Sequence, residues 1–151
     1  GGGSAPTGGA PDPAACAAPP PSAPGPGAGC DGSIRVAMQF INAAGAADFD
    51  TARCGFSPTV GAALSPSTLA GLWAAHACAE PSGYRVEQVS GVDAVIIRCD
   101  DMQGGAVQWN VAVGHGTILG LHFDAFGGEF QGIPRGCLPP SLPRGCIGSG
   151  H

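Results

Sequence analysis

The spacing of apolar residues predicts helices in the first part of the chain. Ile34, Met38 and Ile41 recur at i, i+4 and i+7, which places them on one face of a helix. A short second helix is predicted from Asp48, with Pro58 among the residues that interrupt it. A third helix is predicted from Ser65, because a serine N-cap followed by proline is a typical helix start, and it should end near residue 80.

After Pro81, apolar residues recur at every second position, which indicates β-strands. Strands are predicted at residues 85–90, 92–100, 106–113 and 117–124. The residues predicted to face inward on the last three strands are Val95, Ile97, Cys99, Val107, Trp109, Val111, Val113, Thr117, Leu119, Leu121 and Phe123. Because the helices precede the strands, we expect an α+β domain with three N-terminal helices packed on one face of a curved, four-stranded antiparallel sheet.

Composition separates this domain from two flanking segments. Residues 1–29 contain no Leu, Ile, Val, Phe or Met and a single charge, Asp12. Such a segment has too little apolar surface to offset its ordering entropy, so it is predicted to be a disordered or extended Pro/Gly/Ala-rich tether. The cone-like α+β domain is expected at residues 30–126. Residues 127–151 are predicted to form a Gly/Pro-rich tail.

The charge balance argues against nucleic acid as a partner, and the hydropathy limits how the chain could contact a membrane. The net charge is −5 and the chain has no lysine, so nucleic acid is not a predicted partner. No run approaches the roughly 20 apolar residues of a membrane span. The Gly-Gly-Gly-Ser start resembles the segment that follows the lipidated cysteine of bacterial lipoproteins. Membrane contact is therefore expected only through a lipid anchor preceding Gly1.

The cysteines indicate an oxidising compartment, either extracellular or in the cell envelope. The chain has seven, namely Cys16, Cys30, Cys54, Cys78, Cys99, Cys137 and Cys146. None has the close spacing of a metal or redox motif, so neither metal nor cofactor is predicted. The preferred bridge is Cys137–Cys146, which would close a loop in the tail. Other pairings considered are Cys54–Cys78, Cys78–Cys99 and Cys16–Cys30. An odd number leaves one thiol over or paired with another chain.

The predicted inner face lacks acid–base chemistry. It carries no carboxylate, so no catalytic residue is assigned, and His122 and Asp124 at the end of the fourth strand are the best polar candidates. The predicted ligand-binding residues are aromatic instead: Trp73, Tyr84, Trp109 and Phe123.

Several short motifs resemble the cone-shaped superfamily named after nuclear transport factor two. They are similar to a branch of uncharacterised small domains in secreted bacterial proteins, which sometimes precede an α/β-hydrolase. The residues that carry the resemblance are Phe40-Ile41, Ala47-Asp48-Phe49-Asp50, Leu64-Ser65-Pro66, Leu69, Leu72-Trp73, Val111-Ala112-Val113 and Ile118-Leu119-Gly120-Leu121-His122-Phe123. The resemblance covers about residues 33–124. It implies a fold and an exported location, and it supplies no catalytic residues.

These observations favour an exported, non-catalytic binding or envelope-associated domain. Its partner would be a small apolar ligand held in the cone or a cell-envelope protein. One alternative is a structural or assembly subunit of the cell surface that uses the Pro-rich arm and an unpaired cysteine and could form a homo-oligomer. A second alternative is a cone-fold isomerase or hydrolase.

Overall fold

The computed structural model describes Cys30 and residues 32–78, 80–100, 106–123 and 129–138. The tether predicted at residues 1–29 and most of the predicted tail lie outside these residues. The elements are α1 (Gly32–Gly45), α2 (Phe49–Ala52), α3 (Pro58–Ala63), α4 (Pro66–Ala75), β1 (Glu80–Val89), β2 (Val92–Asp100), β3 (Ala106–Gly114) and β4 (Thr117–His122), with 3-10 turns at Arg53–Gly55 and Arg135–Cys137. The predicted α+β class and the order of helices before strands are confirmed.

Side-chain caps define where the short helices begin. The Asp48 carboxylate accepts a hydrogen bond from the Thr51 N–H at 3.2 Å, and the Ser65 hydroxyl accepts one from the Thr68 N–H. Both predicted caps are therefore confirmed.

One helix was not expected from the sequence. Pro58 was predicted to interrupt the chain, yet it opens α3. Ser57 caps this helix by accepting from the Val60 N–H, and proline loses no hydrogen bond at the first helical position. The same reasoning that located α4 at Ser65-Pro66 would have located α3 at Ser57-Pro58. The other difference is that α4 ends at Ala75, well before residue 80, because β1 already begins at Glu80.

The four strands form an antiparallel meander in the order β1-β2-β3-β4. Its register places the predicted inner residues side by side: Val95 lies opposite Val111, and Ile97 lies opposite Trp109. All four are completely or almost completely buried. The alternation predicted for the second and third strands is therefore confirmed.

A β-bulge changes the inner face of β4. The register shifts between Ala112 and Val113, so that Gly120 pairs with the first and Ile118 with the second. Ile118 is 0% exposed whereas Leu119 is 43% exposed, so Ile118 takes the inner position that the sequence assigned to Thr117 and Leu119. The strict alternation failed here because a bulge inserts one extra residue. Beyond it, Leu121 and Phe123 pack against the core as predicted.

A buried arginine fixes the turns between the short helices. Arg53 is 5% exposed, and its Nε donates to the Leu64 carbonyl at 2.8 Å while Nη2 donates to the Gly61 carbonyl at 2.9 Å. These carbonyls end α3, so they have no helical partner of their own. The guanidinium group thereby holds the loop between α3 and α4 against the end of α2.

Two disulfides are described. Cys30 is bonded to Cys137 and Cys78 to Cys99. The second pairing is one of those considered from the sequence, and it ties the segment after α4 to β2. The preferred bridge Cys137–Cys146 and the alternative Cys16–Cys30 are wrong, because Cys137 and Cys30 bond each other. Cys54–Cys78 is wrong as well, because Cys78 bonds Cys99.

Part of the predicted tail returns to the domain, which explains the Cys30–Cys137 bond. Gln131 exchanges both backbone hydrogen bonds with Tyr84 at the edge of β1. Further along, the Asn42 amide of α1 donates to the Cys137 carbonyl at 3.0 Å. These contacts hold Cys137 against α1, and a prediction based on the spacing of cysteines along the sequence could not detect them.

We expect the longer disulfide loop to contribute more to stability. Cys30 and Cys137 are 107 positions apart, against 21 for Cys78 and Cys99. On the chain-entropy model, losing the first bridge costs about 4.8 kcal/mol and losing the second about 3.3 kcal/mol. Urea unfolding of the two paired Cys→Ala variants measures the difference. Equal losses, or a larger loss for the short loop, would contradict the entropic account of the Cys30–Cys137 bond.

Candidate functional site

Five ring-bearing side chains form a cluster between the helices and the sheet. This aromatic cluster consists of Phe40, Trp73, His76, Trp109 and Phe123. Trp109 is at its centre, with ring centroids 5.1 Å from Trp73, 4.6 Å from Phe123 and 5.5 Å from Phe40. Such spacings and tilted geometries are typical of favourable aromatic contacts.

A hydrogen bond fixes Trp109 in this cluster. The indole Nε1 donates to the backbone carbonyl of His76 at 2.8 Å, and the side chain is 0% exposed. That carbonyl is available because α4 ends at Ala75 and His76 lies just beyond it. The helix end therefore supplies the polar partner that a buried indole requires.

The cluster reaches the surface at one end, where it forms a mouth. Phe123 and His76 stack there with ring centroids 4.0 Å apart and an interplanar angle of 11°, and both are half-buried. Tyr84 lies on the same inner face because it pairs with Ile97, and it is also half-buried. Its hydroxyl is directed to the side chain of Gln131, at 3.3 Å from Oε1.

The structure thus brings together three of the four predicted ligand-binding residues. Within the aromatic cluster, Trp109 contacts both Trp73 and Phe123. Tyr84 packs at the edge of the core without being among the described ring contacts. The sequence did not assign His76 to this site. The signal available in the sequence was that His76 lies three positions after Trp73.

The surroundings of the cluster offer little for acid–base or metal chemistry. His76 is its one ionisable side chain. Of the two polar candidates named from the sequence, His122 pairs with Asn110 on the outer face of the sheet and is exposed, and Asp124 lies outside the described residues. Within the part of the chain that the structure describes, no three His, Cys, Asp or Glu side chains are grouped so that they could hold a metal.

A concavity lies beside α1 and shares Phe40 with the aromatic cluster. This α1 cleft has a volume of about 280 Å³. Its lining consists of Val36, Gln39, Phe40, Thr51, Ala52, Cys54, Gly55, Gly116 and Ile118. No sequence pattern indicates this cleft, because its walls come from α1, α2, the first 3-10 turn and the β3–β4 hairpin, which meet only in the folded chain.

No family model, no curated protein and no solved structure matches this chain. Among the described helices, none has the length and hydropathy to cross a membrane.

We expect Trp109→Phe to destabilise the domain by about 1–3 kcal/mol. The ring contacts would persist in part, but the buried His76 carbonyl would lose its donor. Trp109→Ala should cost more, about 3–5 kcal/mol, because it also leaves a cavity. Chemical denaturation of both variants provides the comparison. If Trp109→Phe unfolded at the wild-type midpoint, the indole hydrogen bond would have no structural importance.

Proposed function

We propose that this chain is an exported, non-catalytic binding domain of the nuclear-transport-factor-two-like type, and that it holds a small apolar ligand at the mouth of the aromatic cluster. The observation that carries the proposal is the half-buried Phe123–His76 stack above a fully buried Trp109. Stacked rings open to solvent on one side offer an apolar surface, and binding pockets are typically lined in this way with a few polar groups.

Export is supported by the cysteines. Every described cysteine is disulfide-bonded, and stable disulfides are characteristic of oxidising compartments.

A binding role is favoured over the isomerase or hydrolase alternative by the chemistry of the inner face. The half-buried residues that pack against the core include the apolar side chains Leu72, Val107, Leu121 and Ile133 and the titratable Tyr84, whose hydroxyl is directed to Gln131. General acid–base catalysis needs a second titratable group within reach of the substrate. A single histidine stacked on phenylalanine provides orientation and a polar contact, not a catalytic pair.

The two tryptophans of the chain make this proposal directly measurable. Both Trp73 and Trp109 lie in the aromatic cluster, so energy transfer from tryptophan to the apolar dye anilinonaphthalene sulfonate reports binding to the domain, and the variants below assign it to this site. We expect saturable transfer with the native protein. Phe123→Ser should weaken the dye affinity about tenfold, since it removes roughly 1.4 kcal/mol of apolar contact.

The matched control is Leu119→Ser, which removes an exposed apolar side chain that lies outside the inner face. Its affinity should equal that of the wild type. Near-ultraviolet circular dichroism of each variant verifies that the domain remains folded. Equal affinities for the Phe123 and Leu119 variants, or no saturable transfer at all, would refute a ligand site at this mouth.

A further inference from the structure

The walls of the α1 cleft are mainly apolar. Val36 and Phe40 come from α1, and Ile118 comes from β4. Phe40 and Ile118 are almost completely shielded from solvent, whereas Val36 is half-buried. The cleft therefore offers an apolar contact surface to an occupant, as most small-molecule pockets do.

Two polar side chains, Thr51 and Gln39, interrupt this apolar lining. Thr51 is 3% exposed, and its hydroxyl oxygen is shielded from solvent and has no hydrogen-bond partner among the described residues. A hydroxyl that is cut off from water and left without a partner is destabilising. The half-buried Gln39 amide adds a donor and an acceptor. The lining therefore favours an occupant that brings a polar group into direct contact with it.

Among the described residues, no charged side chain lines the cleft. Thr51 and Gln39 are neutral, and Cys54 is disulfide-bonded, so it offers neither a thiol nor a thiolate. A charged occupant would lose its water of hydration there without gaining an ion pair, which is costly. The ligand that matches this lining is therefore uncharged.

The turn that carries Gly55 is held in place on both sides. Before it, the Arg53 guanidinium donates to the Leu64 and Gly61 carbonyls. After it, the Ser57 N–H donates to the Ile118 carbonyl at 2.9 Å. Because these bonds fix the turn against α3 and β4, the cleft is preformed, as small-molecule sites usually are.

Gly55 keeps space open between two walls of the cleft. A Cβ at this position would lie 3.5 Å from Val36 Cγ1 and 3.5 Å from Ile118 Cδ1, in contact with both side chains. Its φ does not lie in the left-handed region, so the backbone conformation does not require glycine here. The missing side chain therefore leaves room in the cleft and relieves no backbone strain.

We propose that the α1 cleft is a second binding site, separate from the mouth of the aromatic cluster, for a small uncharged molecule with an apolar body and a hydrogen-bond acceptor such as a carbonyl. The acceptor takes the hydrogen bond of the Thr51 hydroxyl, and the apolar body lies against Val36, Phe40 and Ile118. An apolar cavity of about 150 Å³ accommodates benzene, so the volume of about 280 Å³ corresponds to a ligand of roughly ten non-hydrogen atoms.

Two probe molecules of matched shape test this site. Acetophenone and α-methylstyrene differ only in that the carbonyl oxygen of the first is a methylene group in the second. Nuclear magnetic resonance of the folded protein locates their binding through the backbone amide shifts. We expect acetophenone to shift the amides of Gly55 and Gly116 saturably, since both residues line the cleft. Shifts confined to His76 and Phe123, or no saturable shift, would overturn the proposal.

Thr51→Val tests the hydrogen bond, because it replaces the hydroxyl by a methyl group of similar size. The ratio of the acetophenone affinity to the α-methylstyrene affinity should fall about tenfold in this variant, since only acetophenone loses a hydrogen bond. Using the ratio cancels the different hydrophobicity of the two probes. An unchanged ratio would contradict the role given to Thr51.

The stability of the same variant provides an independent check. Thr51→Val should unfold at a denaturant concentration no lower than that of the wild type, since the lost hydroxyl had no partner. A clearly lower midpoint would mean that the protein itself already satisfies this hydroxyl, and the proposal would then fail.

Gly55→Ala tests whether the probes occupy the cleft. The added methyl group fills the gap between Val36 and Ile118, so both probes should bind about tenfold more weakly. Gly71→Ala is the matched control, because Gly71 is exposed on α4 and a Cβ there would meet no neighbouring side chain within 4 Å. It should bind both probes like the wild type. Equal affinities for the two alanine variants would place the binding outside the cleft and refute the proposal.

Discussion

The packing of Trp109 against the helices is the interaction on which the rest of this structure depends. Trp109 is the largest of the fully buried side chains and comes from the centre of β3. Its ring contacts Phe40 of α1 and Trp73 of α4, and its N–H binds the carbonyl that follows α4. One side chain therefore joins both long helices to the sheet. The site proposed here is the part of this contact that reaches solvent.

The inward position of Trp109 could be predicted from the sequence because apolar and polar residues alternate regularly along β3. On β3, Trp109 alternates with polar residues, and nothing disturbs that alternation up to Val111. The helix starts at Asp48 and Ser65 were equally predictable, since a capping side chain acts on the backbone only three residues ahead. The aromatic residues proposed as a ligand site were chosen from the same alternation and from the helical face of Trp73.

The predictions that were wrong concern features that cannot be derived from the local sequence. Leu119 faces outward because a bulge in the pairing of β3 with β4 shifts the register, and one extra residue inverts the side-chain alternation. Cys137 pairs with Cys30 because the tail crosses back to β1 and α1, and such a contact over 107 positions leaves no pattern in the chain. The α1 cleft was missed for the same reason, as its walls are distant in sequence.

The two described disulfides and the apolar interior are compatible with the proposed binding role. Cys30–Cys137 joins the two ends of the described domain, and Cys78–Cys99 joins the helical layer to the sheet near the mouth of the cluster. We expect these two bridges to restrict motion of the domain that carries the Phe123–His76 stack. This rigidity suits a preformed binding surface, since ordering costs are then met during folding and not during binding.

Hydrogen exchange of the tryptophan indole protons, followed by nuclear magnetic resonance, tests the central claim most directly. The Trp109 indole proton is buried and bonded to the His76 carbonyl, so it should exchange only when the whole domain unfolds. Its protection should then fall together with that of the β2 and β3 amides as denaturant is added. Rapid exchange of this proton in the native protein, at the rate of an exposed indole, would contradict the account.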